Sequence, residues 1–361
     1  MTDLDDLSAI ERADPGGFLE CVEGSPGQVE RGWELGKGVG SLPDPAGVSS
    51  VLVTGMGGSG ISGDLMNAVL GSGFPHVAYT CKGYDLPGWV GEETLVLAVS
   101  YSGRTEETLQ AFEKAFARGA SLVTISAGGP LADLGESRRC PAVVLPPGLQ
   151  PRAALGYMSM ALLGICQRMG WTDLEADVVE TVELLGKRID EYGRRSPASG
   201  NPAKQLAARL VHRLPLVYGS EGLAEVAAYR WKCQFNECSK IASYNHFFPE
   251  LDHNEISGWA GTDRLDCPTT VIVLRHRHEH PRVERRIEVT LPLIAERVTA
   301  VEEVHAGGDS PLANLMDLIC LGDFAATYVA LLSGVDPSKV ELIDEVKRQL
   351  GTPPTSGEIV R

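Results

Sequence analysis

The sequence predicts an α/β protein made of two doubly wound domains in tandem, each a parallel sheet flanked by helices. Three observations carry this. Apolar runs of four to seven residues recur without strict alternation, the pattern of strands buried on both faces. Most runs lead into a stretch of helical period, so strand and helix alternate along the chain. The succession then occurs a second time beyond "RRSPASGNP" at residues 194–202, which reads as a linker. The chain is accordingly divided into an N-terminal helical segment (1–45), a first domain (46–150), interface helices and linker (151–202), a second domain (203–350) and a flexible tail (351–361).

In the first domain "SSVLVTG" is a strand leading into the helix "SGDLMNAVL", and "HVAYT" is a strand ending in a turn. "TLVLAVS" leads into "EETLQAFEKAFARG", "SLVTIS" precedes "GPLADL", and "AVVLP" is the last strand. The best-marked helix runs from Glu106 to Arg118. Leu109, Phe112 and Phe116 share a face, Glu106 and Glu107 complement the helix dipole, Thr105 stands at the N-cap and Gly119 can end it. "PPGLQP" at 146–151 interrupts the pattern. The following "AALGYMSMALLGICQRMG" reads as a helix apolar on nearly every side, which belongs at a domain or subunit interface. In the second half "LPLVYGS", "PTTVIVLR" and "AVEEVHA" are the strands. "EGLAEVAAYRWKCQFNE", "ERRIEVTLPLIAERV", the long apolar "PLANLMDLICLGDFAATYVALL" and "VELIDEVKRQL" are the helices.

Charge and composition exclude several function classes. With 32 basic against 48 acidic residues the formal charge is −16, which leaves no basic footprint for nucleic acid or an anionic membrane. An anionic ligand must be held by local donors against that field. The N-terminus "MTDLDDLSAI" has acids where a secretory leader needs bases. No apolar run is read as approaching the roughly 18 residues of a membrane span, so the cytoplasm is the expected compartment. The eight cysteines show neither a CxxC pair nor zinc spacing and are expected to be reduced, packed thiols. "HRHEH" at 276–280 would set three imidazoles on one face of an extended strand. It lies in a strand-end loop before Pro281, however, and neither a metal nor another cofactor is expected.

Two turns carry the functional signal. "VTGMGGSG" follows the first strand and opens a helix. Its glycines let backbone N–H groups, Gly58 among them, approach an anion at a positive helix terminus, and Ser59 adds a hydroxyl. Gly55, Gly57 and Gly60 also match a dinucleotide fingerprint, but "HVAYT" runs into Cys81 and Lys82 where that motif needs an acid. The stretch "AVSYSGRTEETL" at 98–109 repeats the device with Ser100, Ser102 and Thr105. One hydroxyl would suffice for capping. Two adjacent strands ending in such turns would converge on one crevice, for which a phosphate monoester is the simplest ligand.

These residues also carry a resemblance. "VSYSGRTEETL" resembles the hallmark of sugar isomerase (SIS) domains. Together with "GMGGSGISGDL", "PRAALGY", "QFNE", "LDHNEISGW" and "DPSKVELIDEVKRQL", in the same order from about residue 15 to 350, it is similar to the bifunctional phosphoglucose/phosphomannose isomerase family. Arg104 departs from the small polar residue common there. The resemblance implies an aldose-ketose isomerase that interconverts glucose 6-phosphate, and mannose 6-phosphate, with fructose 6-phosphate, acting without cofactor on a small sugar phosphate.

Such a reaction needs ring opening, a base to move a proton between C1 and C2, and a positive group for the enediolate. Glu237, ending "QFNE", is the candidate base. Read alone, a glutamate near a helix end is most often a solvated charge, and the resemblance is what implies the role. His253, in a loop with Asp252, Asn254 and Glu255, is a candidate acid/base for the ring oxygen. The resemblance implies a homodimer in which this histidine is supplied across the interface. Arg152, after "QP", can face the crevice as the cation or make a domain-interface salt bridge. Lys347, in the last helix, stands where Leu342, Val346 and Leu350 would pack while it faces elsewhere. The resemblance implies that it assists ring opening, with Arg348 and Lys339 as competitors. Two other classes stay open at this point. One is a SIS-domain sugar-phosphate binding or regulatory protein, which would need neither Glu237 nor His253. The other is an aminosugar-phosphate isomerase; Cys21 lies inside the chain, not at a terminus where ammonia-releasing synthesis would need a nucleophile.

Overall fold

The computed structural model describes residues 2–260 and 267–351. The expected tail at 351–361 therefore lies outside the described residues from 352 onward. Along the chain come helices α1 (Leu7–Ala13), α2 (Phe18–Glu23) and α3 (Ser25–Lys37), then β1 (Ser50–Thr54), α4 (Gly58–Leu70), β2 (Val77–Cys81), β3 (Thr94–Val99), α5 (Glu106–Ala117), β4 (Ser121–Ser126), α6 (Pro130–Ser137) and β5 (Ala142–Val144). Helices α7 (Leu155–Arg168), α8 (Glu175–Tyr192) and α9 (Pro202–Leu210) follow. The second set is β6 (Leu214–Ser220), α10 (Leu223–Glu237), β7 (Tyr244–Phe248), α11 (Glu255–Ala260), β8 (Thr269–Arg275), α12 (Pro281–Ala295), β9 (Ala300–His305), α13 (Pro311–Leu332) and α14 (Glu341–Leu350).

Both sheets are parallel throughout, as the unalternated apolar runs require. The first has the order β2-β1-β3-β4-β5 and the second β7-β6-β8-β9. Strand β7, "YNHFF", is an element that the sequence reading missed. It is an edge strand with only Phe248 buried, so it lacks the apolar run that marks the others.

The chain forms two compact units. One comprises Pro26–Val178 and the segment from Glu341; the other comprises the residues through Ser25 and Val179–Val340. The division thus runs differently from the sequence boundaries. The first helices belong with the second sheet, and the change of unit falls inside α8. Side-chain bonds explain the grouping: Lys204, buried on α9, donates to Leu4 O (2.5 Å), Arg194 O (3.1 Å) and Ser196 O (2.7 Å), and Glu23 accepts from Arg194 Nε (2.9 Å).

Within the first unit α7 is buried almost end to end, but α3 and α4 of its own unit cover it. Glycines make that approach possible. A Cβ on Gly32 would stand 2.7 Å from Tyr157 O, and one on Gly36 would stand 2.3 Å from Ala161 O. Within its own unit the apolar helix is thus packed closely by α3 and α4.

Within the second unit α13 is long and apolar enough to cross a membrane by composition, contrary to the reading that no run approaches that length. It is nonetheless the core helix. It packs against α9, α10 and α2, buries 83% of its most apolar stretch, and pairs Asp317 with Arg188 (2.6 Å) and Asp323 with Arg230 (2.8 Å).

Candidate active site

In the first sheet β1 lies between β2 and β3, and the chain winds outward in opposite directions from β1 and β3. The carboxyl ends of these two neighbours are therefore the topological switch point, where such folds open a crevice. Both hydroxyl-bearing turns leave the sheet there, which is the convergence the sequence suggested.

The β1 turn begins at Gly55, whose N–H donates to Cys81 O (3.2 Å). Gly57 takes a left-handed φ of +52° and α4 starts at Gly58 without a side-chain cap. The two turns touch: a Cβ on Gly55 would stand 2.9 Å from Val99 O. Ser59, buried, bridges them by accepting from Tyr101 N (3.4 Å) and donating to Met158 Sδ (3.3 Å). In the β3 turn Gly103 N donates to Ser100 O (2.9 Å), and Gly103 sits at φ +65°. Thr105 occupies the N-cap position of α5 without capping it. Its hydroxyl lies 2.9 Å from the buried Ser100 Oγ instead. No side chain caps either helix; at α4 the N–H groups of Ser59 and Gly60 turn back to Met56 O (3.0 and 3.2 Å), and the N-termini of both helices face one crevice. Ser102 is exposed at the mouth and accepts from Arg104 N (3.3 Å).

Arg152 is buried in the 3-10 turn Pro151–Ala153, one step before α7. That turn abuts the β1 turn: a Cβ on Gly58 would stand 3.3 Å from Arg152 Cα. Gly58, Ser59, Ser100, Ser102, Thr105 and Arg152 are accordingly gathered in one unit. Sequence reading missed Tyr101, the residue that fixes this group. Its hydroxyl donates to Pro146 O (2.7 Å) and accepts from Leu149 N (3.0 Å), tying the β3 turn to the loop that leads to Arg152. Only its place between two functional serines hinted at it.

The second sheet offers a pseudo-equivalent crevice after β6 and β8, but its donors are occupied. Gly222 N donates to Glu225 Oε2 (3.3 Å), so a carboxylate already occupies the α10 terminus. His276, buried at the end of β8, accepts at Nδ1 from His278 N (3.2 Å). Its Nε2 therefore carries the proton toward Ser220 Oγ (3.0 Å), which in turn faces Glu279 Oε1 (3.4 Å). In this chain the histidine is a donor to the serine and not its base. His278 Nε2 contacts Asp309 O (2.8 Å), and His280 Nδ1 accepts from Arg282 N (3.1 Å) as the cap of α12. The three imidazoles of "HRHEH" are each engaged separately, and no cluster of three or more metal-ligating side chains occurs among the described residues.

Burial lowers the His276 pKa from 6.5 to about 4. The unfolded chain takes up this proton first. Stability is therefore complete above pH 6.5 and falls as the pH drops toward 4, by on the order of 3 kcal/mol. Melting temperatures of His276→Gln measured between pH 7 and 4 are expected to show a flatter acid limb than those of the unaltered chain. An unchanged limb would place the titrating group elsewhere.

The remaining candidates lie on other elements. Glu237 is the last residue of α10, half-buried, and His253 is exposed in the 3-10 turn Glu250–His253 after β7; both are in the second unit. No hydrogen bond joins their side chains among the described residues. The carboxylates flanking His253 are engaged elsewhere: Asp252 accepts from Thr290 Oγ1 (2.9 Å) and Arg286 (3.3 Å), and Glu255 accepts from Tyr218. Asn254 donates to Glu250 (2.7 Å), so Asn254 and Glu255 hold the loop. Lys347 is exposed on α14. The apolar residues expected to pack beside it do not: Leu342, Val346 and Leu350 are 84%, 59% and 70% exposed.

Two parallel-sheet units, one with a hydroxyl-and-glycine anion crevice at its switch point, define a tandem SIS-domain protein. Residues 46–136 match the SIS domain model, and residues 199–350 match that of the bacterial phospho-glucose isomerase C-terminal SIS domain. The bifunctional phosphoglucose/phosphomannose isomerase of Caldicellulosiruptor bescii is 36% identical over 334 residues, 92% of this chain and 98% of that protein. That of Thermoplasma acidophilum is 34% identical over 302 residues, 84% and 90% of the two chains. A glucose-6-phosphate isomerase-like protein from Thermus thermophilus shares the fold with a TM-score of 0.64 at 23% identity, covering 96% of this chain and 99% of that one. The chain belongs to the bifunctional phosphoglucose/phosphomannose isomerase family.

Proposed function

We propose that this protein interconverts fructose 6-phosphate with glucose 6-phosphate and mannose 6-phosphate through a cis-enediolate. The observation that carries the reading is the switch-point crevice, where the hydroxyls of Ser59, Ser100, Ser102 and Thr105 converge with two helix N-termini that no side chain caps among the described residues. It holds the phosphate, so the reacting carbons are fixed relative to it.

The side chains then divide the chemistry. Glu237 takes the proton from C1 of the open ketose and returns it to C2, while a hydroxyl proton moves in the same direction, from O1 to O2. Negative charge develops on oxygen in the intermediate, and the Arg152 guanidinium stabilises it. His253 moves the ring-oxygen proton during opening, assisted by Lys347. The enediolate is planar at C2, so one intermediate serves both epimers.

The active form is a cytoplasmic homodimer in which His253 is donated across the interface. Two features support that reading. His253 is exposed and not engaged by the carboxylates beside it. The apolar face of α14, exposed in the single chain, belongs to a ten-residue helix that would be marginal in water without cover.

A coupled assay with fructose 6-phosphate, following glucose 6-phosphate and mannose 6-phosphate separately in the presence of a chelator, tests the function. Formation of both products is expected. A folded protein that binds the sugar phosphate and forms neither would be a binding or regulatory protein instead.

A further inference from the structure

The two phosphate turns offer neutral donors in a chain of charge −16, and with Arg152 assigned to the enediolate a dianion held there gains from a second cation. Lys82 directly follows β2, the strand that pairs with β1 on the side away from β3. It therefore leaves the sheet at the same carboxyl edge as the two phosphate turns. The bond from Gly55 N to Cys81 O ties the first turn to the residue preceding it. The lysine stem then lies on the glycine turn itself: a Cβ on Gly60 would stand 3.1 Å from Lys82 Cε. The ammonium pairs with Asp64, one turn further along α4, and the two side chains are 29% and 22% exposed. Burial pushes the Asp64 carboxyl up, against the opposing pull of Lys82 and Thr80. Such a partly desolvated pair is weak evidence for stabilisation. Its visible consequence is a positive charge held beside the α4 terminus.

We propose that Lys82 is a further substrate-binding residue, whose ammonium is held by Asp64 against Gly60 and is shared with the sugar's phosphate when substrate binds. The proposal rests on the phosphate-crevice reading. Asp64 is then a positioning residue that competes with the ligand for the ammonium. Removing the lysine weakens binding, and removing the carboxylate strengthens it. A purely structural ion pair predicts no such opposition of sign.

The test uses glucitol 6-phosphate, a hexitol phosphate that cannot isomerise, titrated calorimetrically, alongside KM and kcat for fructose 6-phosphate. Lys82→Met is expected to weaken binding and raise KM at least tenfold with kcat within twofold. Lys82→Arg is expected to restore most of the affinity, and Asp64→Asn to tighten binding about threefold. A Lys82→Met protein that binds as well as the unaltered chain overturns the proposal. Should Lys82→Met fail to fold, the decision falls to Asp64→Asn, where anything other than tighter binding overturns it. The binding arm separates the two readings. An unaltered chain that binds the hexitol phosphate but does not turn over sinks the isomerase reading alone, whereas turnover with an unaffected Lys82→Met sinks the lysine proposal alone.

Discussion

Glu237→Gln is expected to lower kcat for fructose 6-phosphate about a thousandfold, within the 10²–10⁴ range for a positioned acid/base, and to leave glucitol 6-phosphate binding unchanged. The amide keeps the shape of the carboxylate and loses the ability to take a proton. The substitution leaves the fold intact because α10 is anchored upstream. Arg230 forms a two-point contact with Asp323 (2.9 and 2.8 Å), and Trp231 Nε1 donates to Leu318 O (2.7 Å). Exchange of the C1 proton of fructose 6-phosphate with deuterated solvent reads the same step directly and should fall in parallel with kcat. Retention of kcat within threefold would assign the base to another residue.

The second large effect is expected for Gly103→Ala, which should weaken glucitol 6-phosphate binding at least a hundredfold and lower stability by about 3 kcal/mol. Two costs combine. A φ of +65° disfavours any L side chain by roughly 1–2 kcal/mol, and the new Cβ would stand 1.8 Å from Gly128 O, a backbone atom that cannot rotate away. Relief requires moving the β3 turn, which would break the bonds from Gly103 N to Ser100 O and from Leu131 N to Gly103 O. Gly148→Ala is the matched control. Its φ is +102° but nothing lies within 4 Å of the new Cβ, so it should lose some stability and no affinity. Gly103→Ala with undiminished affinity would show that the phosphate does not rest on this turn.

Much of this architecture was legible because its causes are local. Strands buried on both faces carry an unbroken apolar run, and β1, β3 and β8 do so at residues 51–53, 95–99 and 271–274. Helix α5 announces itself by period, first-turn acids and a terminal glycine, and its observed bounds differ from the expected ones by a single residue at the end. The functional turns were legible for the same reason. A chain that needs left-handed backbone and small hydroxyls in five or six consecutive positions has few ways to write them.

What stayed hidden depends on partners distant in sequence. Strand β7 pairs at an edge, and its pattern does not distinguish it from a loop. Helices α7 and α13 are equally apolar in sequence whether they lie in a core, an interface or a membrane. Only the structure shows which helices of their own units pack on them. Thr105 reads as a cap, and it takes the position of Ser100 Oγ to show that its hydroxyl is directed into the crevice group. Lys82 reads as a turn lysine until Asp64 and Gly60 are brought to it. The sequence by itself determined the fold class, the two phosphate turns and the family, since burial pattern, helix period and turn stereochemistry are properties of contiguous residues. The tertiary structure alone decided which turns meet, which crevice is left open to an anion and which charges neighbour it, because hydrogen bonding and electrostatics act through distance in space and not along the chain.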